Sequence, residues 1–165
     1  MSRSLGPVLP GALLDRLSQR DLERRLGTAL PFVTVDRAGR PHPMLLSYVE
    51  IRAHSPSALG LVIQARSTTA QNLAPRGAGT LVIAEPDAVL YVKTRALDGP
   101  LEAGDDDLGL GYFLLEVEEV LEDAAADWEG GVRITSGIQY RPIPSLDDRW
   151  VRATLAALAA PRARV

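Results

Sequence analysis

Apolar and polar positions change period three times along this chain. Residues 10–28 (PGALLDRLSQRDLERRLGT) place Leu14, Leu17, Leu22 and Leu26 on one broad side and charges on the rest, which predicts a helix stopped by Gly27. From Leu30 the period shortens to two. Residues 30–35 predict a strand, Asp36-Arg37-Ala38-Gly39-Arg40 a short turn, and residues 41–52 the returning strand. In that strand Met44, Leu46 and Tyr48 face one way, and Leu45, Ser47 and Val49 the other. Three more apolar runs follow, at 59–63, 80–84 and 89–94, with a short helical insert at 67–74 after the first. Gly99-Pro100 and the acids of 102–107 predict a solvated loop. Residues 111–122 alternate again, with Phe113, Leu115, Val117 and Leu121 on one face, and 132–140 is a weaker strand candidate. Ser145 with Asp148 resembles a capping box for a last helix, whose apolar face is Val151, Leu155 and Leu158 and which Pro161 ends.

This makes six or seven strands, mostly hairpin-linked, with helices at both ends and one in the middle. No internal repeat or long linker divides the chain, so it reads as a single domain over 1–165. The N-terminal helix covers about 10–28, the strands about 29–140 and the C-terminal helix about 145–160. Such spacing predicts an antiparallel barrel or sandwich. A chain of 165 residues, 46% hydrophobic, buries a core without a disulfide or metal staple, and it has no cysteine. No apolar run approaches the roughly 20 residues of a membrane span, and the start MSRSLGPVLPG lacks a signal-peptide core. The expectation is a cytoplasmic protein with no membrane partner. A net charge of −3 argues against a nucleic-acid surface.

Several chemistries have no carrier. There is no G-x-S-x-G elbow, no Walker loop and no G-x-G-x-x-G after a strand. His42 and His54 are too few and too unpatterned for a metal site. The acids of 105–107 read as solvating a loop. The strand at 59–63 is more promising, because it runs into the hydroxyl-rich start of the helical insert. Amides without partners and a positive dipole end attract anions there. The competing reading is a bare helix cap, since Thr68-x-x-Gln71 forms a capping box with no ligand at all.

Four segments carry a resemblance: Val33-Thr34-Val35-Asp36, Gly39-Arg40-Pro41-His42, Ser67-Thr68-Thr69-Ala70-Gln71-Asn72-Leu73 and Leu90-Tyr91-Val92-Lys93. In this order and spacing, over residues 29–123, the chain resembles the pyridoxamine 5′-phosphate oxidase-like, FMN-binding split-barrel proteins. The resemblance implies a mainly β fold, a six-stranded antiparallel Greek-key split barrel with helices at both termini and a short helix after the third strand. It further implies a homodimer with FMN in the cleft between subunits. Met44, Leu45, Leu46 and Ser47 would lie along the flavin ring, and Ser67, Thr68, Thr69 and Asn72 would hold the phosphate with Arg66 beside them. Tyr91 would add a polar contact.

The chain departs from that pattern where charge matters. Thr69 stands at a usual lysine, Ser47 stands at another in the vitamin-oxidising members, and no W…R ending is recognisable, since Trp150-Val151-Arg152 falls in the last helix. Vitamin synthesis is therefore not expected. The resemblance leaves three readings open. One is an oxidoreductase in which FMN carries electrons to a small-molecule substrate. Another is a deazaflavin-dependent reductase, with Arg37, Arg40, Arg66 and Arg76 as a basic groove. The third is a non-enzymatic dimeric binding module with no cofactor. Leu45, Leu46, Val49, Leu90 and Val92 exceed what one barrel interior needs, which also points to a homodimer.

Overall fold

The computed structural model describes residues 2–74, 77–86, 88–104, 106–123 and 126–160. In chain order the elements are β1 (Ser2–Gly6), α1 (Gly11–Leu17), a 3-10 turn (Leu22–Arg25), β2 (Thr28–Val35), β3 (Pro41–Ser47), β4 (Ile51–Ser55), β5 (Ala58–Gln64) and α2 (Thr68–Leu73). They continue with β6 (Ala78–Glu85), β7 (Ala88–Glu102), β8 (Leu110–Asp123), β9 (Ile138–Gln139) and α3 (Arg149–Ala159). One antiparallel sheet runs β3-β2-β6-β7-β8-β5-β4, with β1 added to β8 and β9 added to β2. The mainly β class with flanking helices is as expected. The six-stranded barrel is corrected to nine strands, and no ladder joins β3 to β4 among the described residues. β1 escaped the sequence pattern because SRSLG has no periodicity to read, and the weak strand expected over 132–140 contracts to the two residues of β9.

Four element boundaries also move, each for a local reason. The helix expected over 10–28 ends at Leu17, because Gln19 adopts φ 66°, a left-handed conformation that breaks helical continuation. Its side-chain amide donates to the carbonyls of Tyr48, Val49 and Ile51 at 3.1, 3.2 and 3.1 Å. Those carbonyls belong to the turn that splits the strand expected over 41–52 into β3 and β4, closed by Glu50 N–H on Ser47 O at 3.1 Å. The loop expected at Gly99-Pro100 lies inside the 15 residues of β7. In β8 a register shift opposite Lys93 and Thr94 inverts the alternation, so Val120 is buried where Leu121 was expected. Before α3, Asp148 accepts the Ser145 N–H at 2.9 Å, but the Ser145 hydroxyl takes Asp147 N–H at 3.2 Å, so only half of the expected capping box forms. Pro161 lies outside the described residues.

The interior of the curled sheet is filled from β2, β3, β5, β6, β7 and β8 by residues such as Leu30, Phe32, Leu46, Leu61, Leu81, Val92 and Phe113, all fully buried. Leu13 and Leu17 of α1 join this cluster. A second cluster places Val62, Tyr112 and Leu114 against Leu158 of α3. Residues 111–115 of β8 are consequently buried on both faces, which is why their apolar run is unbroken. Leu46, Val49 and Val92, offered above as surplus for an interface, belong to the interior.

A charged knot holds α1 to the sheet. Tyr48 donates its hydroxyl to Glu85 at 3.1 Å, and Glu85 also takes Arg16 at 2.9 Å and Arg25 at 3.4 Å. The Arg25 guanidinium sits 5.3 Å from the Tyr48 ring centroid. Burial first, and then the Glu85 charge, push the Tyr48 phenol up. The Nε atoms of Arg16 and Arg25 are buried without partners, so these side chains depend on Glu85 for compensation. Glu85→Ala should therefore cost about 2–3 kcal/mol in urea unfolding, and Glu85→Gln, which keeps the shape and one of the two acceptor oxygens, should cost less.

Candidate functional site

β3 connects the two places where function was sought. Beside its start, α2 packs on the neighbouring strand β2. Thr34 of β2, paired across the ladder with His42, donates to the His42 carbonyl at 3.4 Å and accepts Asn72 Nδ2 at 2.9 Å. At its end, Leu45, Leu46 and Ser47 form one side of a cleft of about 460 Å³. The six residues from His42 to Ser47 make five steps of strand, about 17 Å.

The turn before α2 is built first as a cap. The Ser67 hydroxyl accepts Ala70 N–H at 3.1 Å, so Ser67 is the cap and the Thr68 box is not formed. Gln71 instead donates to the Arg66 carbonyl at 3.3 Å. Thr69 is only 1% exposed, turned inward with Ala70 and Leu73. Asn72 is held by Thr34 as above. What remains outward is the Arg66 guanidinium, the exposed Thr68 and the still unspent O–H of Ser67. Arg37 and Arg40 are exposed in the β2–β3 turn, and Arg76 lies outside the described residues. Tyr91 stands apart. It pairs with Val82 and Leu121, two strands separate it from β3, and its hydroxyl goes to Asp123 at 3.2 Å. Burial, then that bond, push its phenol up.

The cleft at the other end owes its shape to the segment before α3. β9 pairs with the start of β2, Tyr140 N–H donates to Gly27 O at 3.0 Å, and the Ile143 side chain lies against Gly27 with room for no more than a hydrogen there. That path lays Tyr140, Pro142, Ile143 and Pro144 opposite β3, and α3 adds Asp148 and Trp150. The polar groups are linked. Glu50 accepts both Ser47 N–H at 2.7 Å and Ser47 O–H at 2.9 Å through one oxygen. The Tyr140 side chain lines the same cleft as Ser47 and Glu50. Burial pushes the Glu50 carboxyl up against the opposing pull of the Ser47 bonds. Burial and the nearby Glu50 charge likewise push Tyr140 up, while the Ser47 side chain pulls it down. Glu50 and Tyr140 were not picked out from the sequence, Asp148 was read only as a helix cap and Trp150 only as part of the last helix. The available signals were a lone acid within MLLSYVEI and the stiff YRPIP segment.

A larger cleft of about 640 Å³ lies between the 18–24 segment and α3. It contains none of the expected site residues and mixes Arg20, Arg24 and Arg52 with Asp21 and Glu23. The smaller cleft, which shares β3 with the α2 turn, is the better candidate. No helix among the described residues is long and apolar enough to cross a membrane.

Comparison with solved structures identifies this sheet as a fold shared with pyridoxamine 5′-phosphate oxidase-like split-barrel proteins. A candidate pyridoxamine 5′-phosphate oxidase of Lactobacillus delbrueckii superposes with a TM-score of 0.53 at 18% identity, covering 72% of this chain and 98% of that one. HupZ of Group A Streptococcus gives a TM-score of 0.53 at 11% identity, covering 70% and 99%. An FMN-binding protein of Syntrophomonas wolfei gives 0.47 at 14% identity, covering 70% and 91%. No family model matches the chain, and neither does any curated protein sequence. The chain thus shares the fold of a pyridoxamine 5′-phosphate oxidase-like protein, as the resemblance implied.

The cap geometry has a direct consequence. Ser67→Ala should destabilise by about 1 kcal/mol in thermal or urea unfolding. Thr69→Lys, which places the resembled family's usual residue at an inward position, should destabilise by more than that, because a long cation would replace a buried hydroxyl.

Proposed function

We propose that this chain binds FMN along β3 and works as a flavin-dependent oxidoreductase on a small-molecule substrate. The observation that carries the reading is that β3 touches both regions: at its start His42 pairs with Thr34, which holds Asn72 of α2, and at its end the strand forms one side of an apolar-walled cleft. The phosphate would meet Arg66, Ser67 and Thr68, and the ring would lie along Met44 to Ser47. The fit is incomplete at the phosphate, since Thr69 faces inward and Asn72 is engaged with Thr34. It is better at the ring, where Leu45 is exposed and the cleft volume lies in the usual range for small-molecule sites. Bound FMN would supply the electron transfer. The protein would hold it, exclude water and shape the substrate side. Tyr91 is too far across the sheet for this chain's own β3 site and would need a second copy to contribute. Titration with FMN and with a deazaflavin should show micromolar binding of FMN, and Arg66→Ala should weaken it by roughly tenfold or more, equivalent to one charge-assisted bond. No FMN binding at micromolar concentration would leave a dimeric binding module as the reading. The spent cap at Ser67 and the inward Thr69 favour that alternative.

The same reading includes a homodimer. Its support is a run of exposed apolar side chains on neighbouring elements: Leu45 on β3, Val35 on β2, Ile138 on β9 and Ile143 beyond it. Light scattering should give about twice the 17.7 kDa chain mass, and Leu45→Glu should shift the mass toward the monomer.

A further inference from the structure

We propose that the cleft at the end of β3 recognises an amine, a ligand with a protonated nitrogen on an apolar or aromatic body and without a phosphate or carboxylate. The proposal rests on the flavin reading only in taking this ligand to be the substrate. Every ionisable side chain lining the cleft is acidic or phenolic: Glu50, Asp148 and Tyr140. No lysine or arginine lines it, and Arg149, next to it in sequence, is drawn to Asp107 at 3.2 Å. An anion entering this space would face two carboxylates in low dielectric with no cation to offset them.

The acceptors are also not all spent. Ser47 places both its donors on a single Glu50 oxygen, leaving Glu50 Oε1 with no donor among the described residues. Glu50 is one of the residues that line the cleft. An ammonium carries three donors and no acceptor, which is the complement of a carboxylate with a free oxygen. Around that polar spot, Leu45, Pro142 and Ile143 form an apolar wall, while Tyr140 and Trp150 add aromatic surface, which attracts cations as well as ring systems. Trp150 is 37% exposed and so still has surface to cover. The pinning of Ser47 by Glu50 orders these two polar groups before a ligand arrives, which limits the entropy lost on binding.

The test compares three probes of one shape and different charge, namely benzylamine, benzyl alcohol and benzoate, by calorimetry on the purified protein. The expected order is benzylamine first, with benzoate weaker by about tenfold or more. Glu50→Gln should weaken benzylamine by about tenfold and leave benzyl alcohol unchanged. Should that variant misfold, Leu45→Arg alters an exposed wall position and should expel benzylamine while admitting benzoate. Equal binding of benzylamine and benzoate, or a benzylamine Kd unmoved by Leu45→Arg, overturns the proposal. FMN titration of the same sample separates the two readings. FMN binding without amine preference sinks amine recognition alone, whereas amine preference without FMN binding sinks the flavin reading and leaves recognition standing.

Discussion

The pairing of β7 with β8 is the constraint on which the other elements depend. The two strands are 15 and 14 residues long and stay paired from Val89–Asp123 to Glu102–Gly111, through three register irregularities. Each irregularity adds local twist, which lets one ladder bend far enough to enclose a core. β8 then divides its other edge, giving residues 110–116 to β5 and 120–123 to β1. β7 gives its other edge to β6, and through β6 to the β2–β3 hairpin that carries the site. Without the bends in this central ladder, β5 and β2 would not curl around the same interior.

Charge is sorted along β3 as well as across the sheet. Its start follows a turn that exposes Arg37 and Arg40, and its end faces carboxyl and phenol groups in a cleft that no cation lines among the described residues. A strand is a rigid ruler, so this separation is set by backbone geometry and does not rely on flexible side chains. The same strand is held at both ends by side chains from elsewhere, Asn72 acting through Thr34 at one end and Gln19 on the following turn at the other. The ends of the site are thus positioned by contacts that no local stretch of sequence contains.

That explains what could and could not be read from the chain. The strands with clean alternation or unbroken apolar runs, such as 59–63, 80–84 and 111–122, were legible because burial imposes its own period. So was the order of segments that gave the fold. The break after Leu17 was not legible, because it depends on Gln19 reaching the carbonyls of residues 48, 49 and 51. The inversion at Val120 was hidden because a bulge changes which residue faces inward without changing the residues themselves. At the candidate site, Leu45, Leu46 and Ser47 were picked out through the family resemblance. Glu50 and Tyr140 were missed because their proximity arises from β9 docking on β2, a contact between distant segments that neither segment's own pattern records.

β1 closes the account of the sheet in a different way. It pairs with β8 on one side, and its other edge meets no strand among the described residues. A row of free amides and carbonyls is a template on which a strand from another chain can add, by domain swapping or by aggregation. Here the template is five residues long, its register with β8 breaks between Ser4 and Gly6, and it carries Arg3 bonded to Glu122. Shortness, a broken register and a charge at the centre all make that edge a poor place for a foreign strand to dock. The N-terminal segment therefore completes the sheet of its own chain without offering a growth point to others.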